Sequence, residues 1–219
     1  MAITIRSGGS QASQQKFKVS IEALLSQIRM AKTGRILLRR LYDASYDVII
    51  EPNLDPGGFN NAYESAASHV HAGNAVLNKA ARGTRSIVEF SPNRLSRRQN
   101  LGAPHEVLFH ELAHSLRTVT GRTRYDSSGN LKKMSGDYGN VEEFFAIMLT
   151  NVYSSELKRP VFGNHGMWKL KSMDQLRKPP FDRRLRDFAV SMPDLCRELA
   201  AIPAKEVAFN PFRDIAMAK

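Results

Sequence analysis

The sequence predicts an α+β fold in one domain, and three observations carry that expectation. Apolar residues recur at helical spacing in several stretches, two short β-type runs stand apart from them, and Pro and Gly mark the boundaries with no internal repeat. A chain of 219 residues with 42% apolar content can bury a core of its own. Collagen-like, disulfide-scaffold and wholly disordered classes are excluded.

Residues 1–18 are rich in Ser, Gln and Gly and read as a flexible leader, with the domain expected over 19–219. Ser20 is a plausible N-cap for a helix carrying Ile21, Leu24, Leu25, Ile28 and Ala31 on one stripe, ended by Gly34. A shorter helix around 36–42 leads to the β-type run 46–50, which stops at Pro52 before the turn-rich LDPGGFNN. A weak helical stretch follows at 61–69. Ser86-Ile87-Val88-Glu89-Phe90 reads as a second strand, and Arg94, Arg97 and Arg98 fall in the loop after it.

Pro104 suits the first turn of a helix reaching about Thr118, with Gly121 just past its end. A polar loop of about 20 residues separates it from the strongest helix, 141–157, in which Val141, Phe144, Phe145, Met148 and Val152 form a stripe. The last stretch is cut by Pro179-Pro180, Pro193, Pro203 and Pro211 into short helices near 181–191 and 194–201. The sequence thus predicts a small mixed or antiparallel sheet and a mostly helical C-terminal part.

The chain holds 32 Lys+Arg against 21 Asp+Glu, a net charge of +11. Residues 1–40 hold eight of the basic side chains and one acid, Glu22, so +7 of the surplus sits there and +4 on the rest. A nucleic-acid partner needs a basic face on the folded body, and this distribution argues against one. No apolar run reaches the length of a membrane span, so no stable membrane insertion is expected. Cys196 is the only cysteine, which excludes an internal disulfide, and its place in DLCRELAAI marks it as buried packing.

The chemistry concentrates in Phe109-His110-Glu111-Leu112-Ala113-His114. Four residues apart on a helix, His110 and His114 lie about 40° around the axis and about 6 Å along it, so both imidazoles can share one zinc ion. Glu111, one step round the helix, reaches a water rather than the ion and suits a general base. One zinc per chain is expected, with a third protein ligand and one open position. An extended motif with Gly at 117 and His at 120 is excluded by Arg117 and Thr120. Glu142 and Glu143, at the start of the next strong helix, and Asp137 in the preceding loop are the candidates. Two adjacent acids point about 100° apart, so at most one of the pair faces the ion. Tyr138 is the first candidate for the oxyanion donor, ahead of Arg117 and His165. His69 and His71 could form a surface pair, and His105 belongs to the helix N-terminus.

The HELAH motif, the following NVEEFFAIMLTNVY helix and the acid-poor N-terminus resemble the NleD-like zinc metalloprotease effectors that Gram-negative pathogens inject into host cells. Glu-Phe-Phe-Ala is also similar to the ligand helix of gluzincin-type toxins, where the ligand Glu directly precedes the apolar run. That likeness implies Glu143 as third ligand, His110 and His114 as the others, and Glu111 as base. The resemblance further implies a zincin-like fold, type III secretion to the host cytoplasm, and cleavage of a host signalling protein such as a mitogen-activated protein kinase. The strand Ser86–Phe90 is the expected edge along which a substrate would lie.

Overall fold

The chain enters its sheet at once: Ile3–Ile5 form β1 and Gln11–Met30 form α1 in a computed structural model that describes residues 3–55, 60–64, 69–74, 79–92, 102–134, 138–162 and 181–213. The segment expected to be a flexible leader is therefore a strand and the first turns of a helix. Ser10, not Ser20, caps α1, its hydroxyl accepting from the Ser13 N–H at 3.3 Å. From Gln11 to Lys16 every residue is exposed, so no apolar stripe marks these turns. The stripe begins further on, with Ile21, Leu24, Leu25 and Ile28 buried.

Gly34 does not end α1, because Lys32–Asp43 form α2 and Gly34 lies inside it. A Cβ there would meet the Ile28 carbonyl oxygen at 1.8 Å. The missing side chain lets α2 start directly against the end of α1.

Val48–Pro52 form β2, Asn61–Tyr63 β3, His69–Ala72 the short α3, Gly73–Asn74 β4 and Ser86–Phe90 β5. The sheet order is β1-β2-β5-β3, with β1, β2 and β5 parallel and β3 antiparallel to β5. The register pairs Ile3 with Val48, Ile50 with Val88 and Asn61 with Glu89. Along β5, Ser86, Val88 and Phe90 are buried while Ile87 and Glu89 are half-buried, the two-residue period of a sheet with one core face. Of the helix expected over 61–69, Asn61–Tyr63 form a strand instead and His69 belongs to α3, while 65–68 lie outside the described residues. The strand β5 lies between β2 and β3, so it is not a sheet edge; β3 is the outermost described strand on that side.

Pro104–Val119 form α4, with Pro104 at its first turn and Gly121 beyond its end at φ +67. Thr123–Arg124 form β6, which pairs with β4, and Tyr125 bridges to Leu131. Part of the long polar connection is thus tied to the body. Val141–Glu156 form α5, Phe181–Ser191 α6 and Pro193–Ala200 α7.

Helix α4 packs on the sheet, where the Ser86 hydroxyl donates to that of Ser115 at 3.0 Å. On its other side lies α5, which is buried nearly all round rather than along one stripe. Phe145 of α5 meets Phe188 of α6 with ring centroids 4.6 Å apart. Cys196 on α7 is buried, and burial pushes its thiol up to about 12. Among the described residues no helix is long and apolar enough to cross a membrane. Arg94, Arg97, Arg98, Asp137 and His165 lie outside the described residues.

Candidate active site

Two ion pairs, one buried throughout and one with a buried glutamate and an exposed arginine, fix how α4 and α5 face each other. Near the start of α4, Glu106 accepts from the Ser154 hydroxyl at 2.6 Å and Arg159 Nε at 2.7 Å, at the far end of α5. Near the end of α4, Arg117 Nε and Nη2 donate to Glu142 at 2.8 and 2.9 Å, in the first turn of α5. The helices therefore run antiparallel. His110 and His114 sit between the two clamps.

The N-cap of α5 sets the third member. The Asn140 side chain accepts from the Glu143 N–H at 2.9 Å, which fixes the first turn of α5 opposite the second half of α4. Glu143 Oε2 then stands 3.3 Å from His110 Nε2 and 3.5 Å from His114 Nε2, and the two nitrogens are 3.1 Å apart. These are the residues of the one group of metal-ligating side chains found among the described residues.

The donor set fits a zinc ion. Bonds of about 2.0–2.1 Å in tetrahedral array put neighbouring donors about 3.3 Å apart, and the three observed edges bracket that value. Two imidazoles and one carboxylate are also one of the ligand sets that catalytic zinc sites use. His110 is turned correctly for this: the Thr150 hydroxyl donates to the Ala146 carbonyl at 2.8 Å and faces His110 Nδ1 at 3.5 Å. A hydroxyl whose proton is so engaged accepts from Nδ1–H, which leaves the Nε2 lone pair towards Glu143. Nothing in the sequence marks Thr150, an ordinary mid-helix threonine, for this task.

Electrostatics at His114 point the same way. Burial works against its charged form, but the Glu143 carboxylate, by charge and by hydrogen bond, and then Glu111 and Glu142, outweigh burial and raise its pKa to about 9. The imidazole thus lies in a strongly cation-favouring pocket. Glu111 is itself 5% exposed and close enough to act on His114, while its backbone carbonyl accepts from the Ser115 hydroxyl at 3.0 Å. His110 is sealed in the core, whereas the Glu143 side chain is 27% exposed, so the cluster opens on the Glu143 side.

The other candidates have different surroundings. Glu142 is engaged by Arg117 and by the Arg124 N–H at 2.8 Å. Its partner, rather than the α5 dipole alone, explains a buried acid at this place. Arg117 also donates to the Ser191 hydroxyl at 3.0 Å and stacks over Phe145 at 4.7 Å, so its guanidinium is engaged away from an oxyanion role. Tyr138 is buried, its ring edge-on to Phe144 at 5.0 Å and Phe181 at 5.8 Å. His69 does not pair with His71. Its Nδ1 meets Glu64 at 2.9 Å and its Nε2 the Gly129 carbonyl at 2.7 Å. His105, in the first turn of α4, meets the Tyr153 hydroxyl at 3.0 Å.

Histidines one helical turn apart, a glutamate beside the first and a carboxylate from an adjoining helix make the side-chain set of a peptidase. The family model Peptidase_M91, described as effector protein, matches residues 6–156, and the chain belongs to this family. The match includes all of His110, Glu111, His114 and Glu143. A comparison with curated proteins finds no match.

Proposed function

We propose that the protein is a zinc-dependent endopeptidase with a zincin-like fold, delivered by type III secretion into a host cell, where it cleaves a host signalling protein. The single observation behind this reading is the triangle of His110, His114 and Glu143 donors at 3.1, 3.3 and 3.5 Å, with Glu111 next to it in sequence. His110, His114 and Glu143 would hold the ion. When bound, zinc supplies a Lewis acid that acidifies water and polarises a carbonyl.

The remaining steps belong to the chain's own side chains. Glu111 takes the proton from the attacking water on a carboxylate oxygen and passes it to the departing amine nitrogen. Tyr138 donates its hydroxyl to the developing oxyanion. A substrate laid along β3 would add a strand to the sheet beside α4, so that its backbone supplies affinity and its side chains supply selectivity. A mitogen-activated protein kinase is the substrate that the family resemblance favours.

The test is to incubate host-cell lysate with wild type and Glu111→Ala protein and compare new peptide termini by mass spectrometry. Termini that arise only with wild type, from a protein holding about one zinc per chain, support the reading. A zinc content near zero in metal-replete buffer, or equal cleavage by Glu111→Ala, overturns it.

A further inference from the structure

We infer that Arg117 is a positioning residue for the Glu143 carboxylate, acting through Glu142, so that it sets metal affinity as well as stability. This rests on the zinc reading given above. Arg117 touches none of the three donors. Its Nε and Nη2 hold both oxygens of Glu142, at 2.8 and 2.9 Å, and its Nη1 donates to Ser191 on α6 at 3.0 Å. The guanidinium plane also lies 4.7 Å from the Phe145 ring centroid and 5.6 Å from that of Phe188. The fork is thus pinned by α4, α5 and α6 together, and both members of the pair are buried, with side-chain exposures of 4% and 5%.

Glu142 and Glu143 share the first turn of α5, with Cα atoms about 3.8 Å apart across one rigid peptide unit. Any turn or slide of α5 that loosens Glu142 from Arg117 therefore carries Glu143 away from the imidazoles. The 3.3 and 3.5 Å edges of the donor triangle leave little tolerance, since a shift of 1 Å takes a donor out of bonding range. The point charge of a lysine cannot replace a planar fork that grips both carboxylate oxygens.

The same helices provide an internal control. Glu106 and Arg159 form a second clamp at the other end of α5, in which Glu106 is buried and Arg159 partly exposed, closed by the Ala103 N–H at 2.7 Å and by Ser154. Arg159 lies beyond the last turn of α5, far along the chain from Glu143. Its loss should loosen the helix pair without moving the ligand carboxylate.

The experiment compares full-length wild type, Arg117→Lys, Glu142→Gln, Arg159→Ala and His110→Ala. Zinc affinity is read by competition with a chromophoric chelator, the ligand field by visible absorption of the cobalt-loaded proteins, and stability by melting of the metal-free proteins. Arg117→Lys should weaken zinc binding by roughly 10–100-fold and change the cobalt spectrum. Glu142→Gln, which keeps the acceptor for the Arg124 N–H, should weaken it by less. Arg159→Ala should lower the melting temperature while affinity stays within about twofold.

Wild-type affinity and an unchanged cobalt spectrum in Arg117→Lys would overturn the positioning role. So would a loss of affinity in Arg159→Ala in proportion to its lost stability. Should His110→Ala bind zinc as wild type does, the zinc reading itself fails; loss in His110→Ala with none in Arg117→Lys removes only the role of Arg117.

Discussion

Glu142 and Glu143 are adjacent in the chain, yet their carboxylates meet different partners: Glu142 is gripped by Arg117, while Glu143 Oε2 closes a triangle with His110 and His114. The two positions should separate experimentally. Zinc should raise the melting temperature of wild type, and Glu143→Ala should erase that rise. Glu142→Ala should keep a reduced rise, in line with its weaker zinc binding, and start from a metal-free stability about 3–5 kcal/mol lower, because it strands a buried guanidinium. A full rise with Glu143→Ala would remove this residue from the ligand set.

Metal binding and catalysis should come apart at Glu111. In the proposed mechanism its carboxylate moves a proton and holds no ion, so Glu111→Gln should retain about one zinc per chain and lose roughly 10²–10⁴-fold in kcat/KM. His110→Ala should lose both. Zinc content by elemental analysis, measured beside peptidase activity, checks the pair; substantial activity in Glu111→Gln would assign the proton transfer to another group.

The raised pKa of His114 fixes the sign of a pH effect on the metal-free protein. Its ordinary value of 6.5 rises to about 9 in the fold, against burial, because of Glu143 and then Glu111 and Glu142. The extra stability is therefore complete below 6.5 and is lost as pH climbs through about 9. The shift corresponds to about 3 kcal/mol. In the proposed site zinc would replace this proton, so the zinc-loaded protein should hold its stability over the same range. Chemical denaturation from pH 6 to 9.5, with and without zinc, measures the difference. A metal-free protein that is equally stable at both ends would show that Glu143 does not charge His114.

The centre of the site was legible in the sequence because metal chemistry admits few residue types and a helix fixes their spacing, so His110, Glu111 and His114 follow from local pattern alone. Helix geometry left the choice between Glu142 and Glu143 open, and only the likeness of Glu-Phe-Phe-Ala to a known ligand helix favoured Glu143; the physical cause of the choice is not local. It depends on Arg117, 25 residues earlier than Glu142, and a buried pair between two helices leaves no periodic trace. The N-terminal region misled for another reason. Solvated turns of α1 such as Gln11–Lys16 have the composition of a disordered segment, and a three-residue strand such as Ile3–Ile5 is too short for its alternation to register. Sheet order lies further out of reach, since nothing within Ser86–Phe90 says that β3 will close over its side.

Cys196 should be chemically silent in the fold. It is 7% exposed on α7, and burial, opposed weakly by Arg117 and Arg40, pushes its thiol up to about 12. Almost no thiolate exists near neutral pH, and thiolate is the reactive form. Iodoacetamide at pH 8 should leave native protein unmodified and label it fully in denaturant, as read by intact mass. Fast labelling of native protein would place Cys196 in an accessible setting.

Strand β1 should be a working part of the fold. Ile3 and Ile5 pack half-buried against the core, the strand pairs in parallel with β2 from Val48 to Ile50, and the Arg6 N–H extends the ladder to the Ile50 carbonyl at 2.9 Å. Deleting residues 1–9 removes both apolar side chains and leaves β2 as an edge with unpaired backbone groups. Half-burial of two isoleucines is worth about 1–3 kcal/mol, so the urea midpoint should fall accordingly. A newly exposed edge of Val48, Ile49 and Ile50 should also favour self-association, visible by light scattering as concentration rises. Ile5→Asp, which keeps the backbone pairing, should reproduce the loss of stability with less of the association. If the truncated protein unfolds at the wild-type midpoint and stays monomeric, β1 contributes nothing that the rest of the sheet lacks.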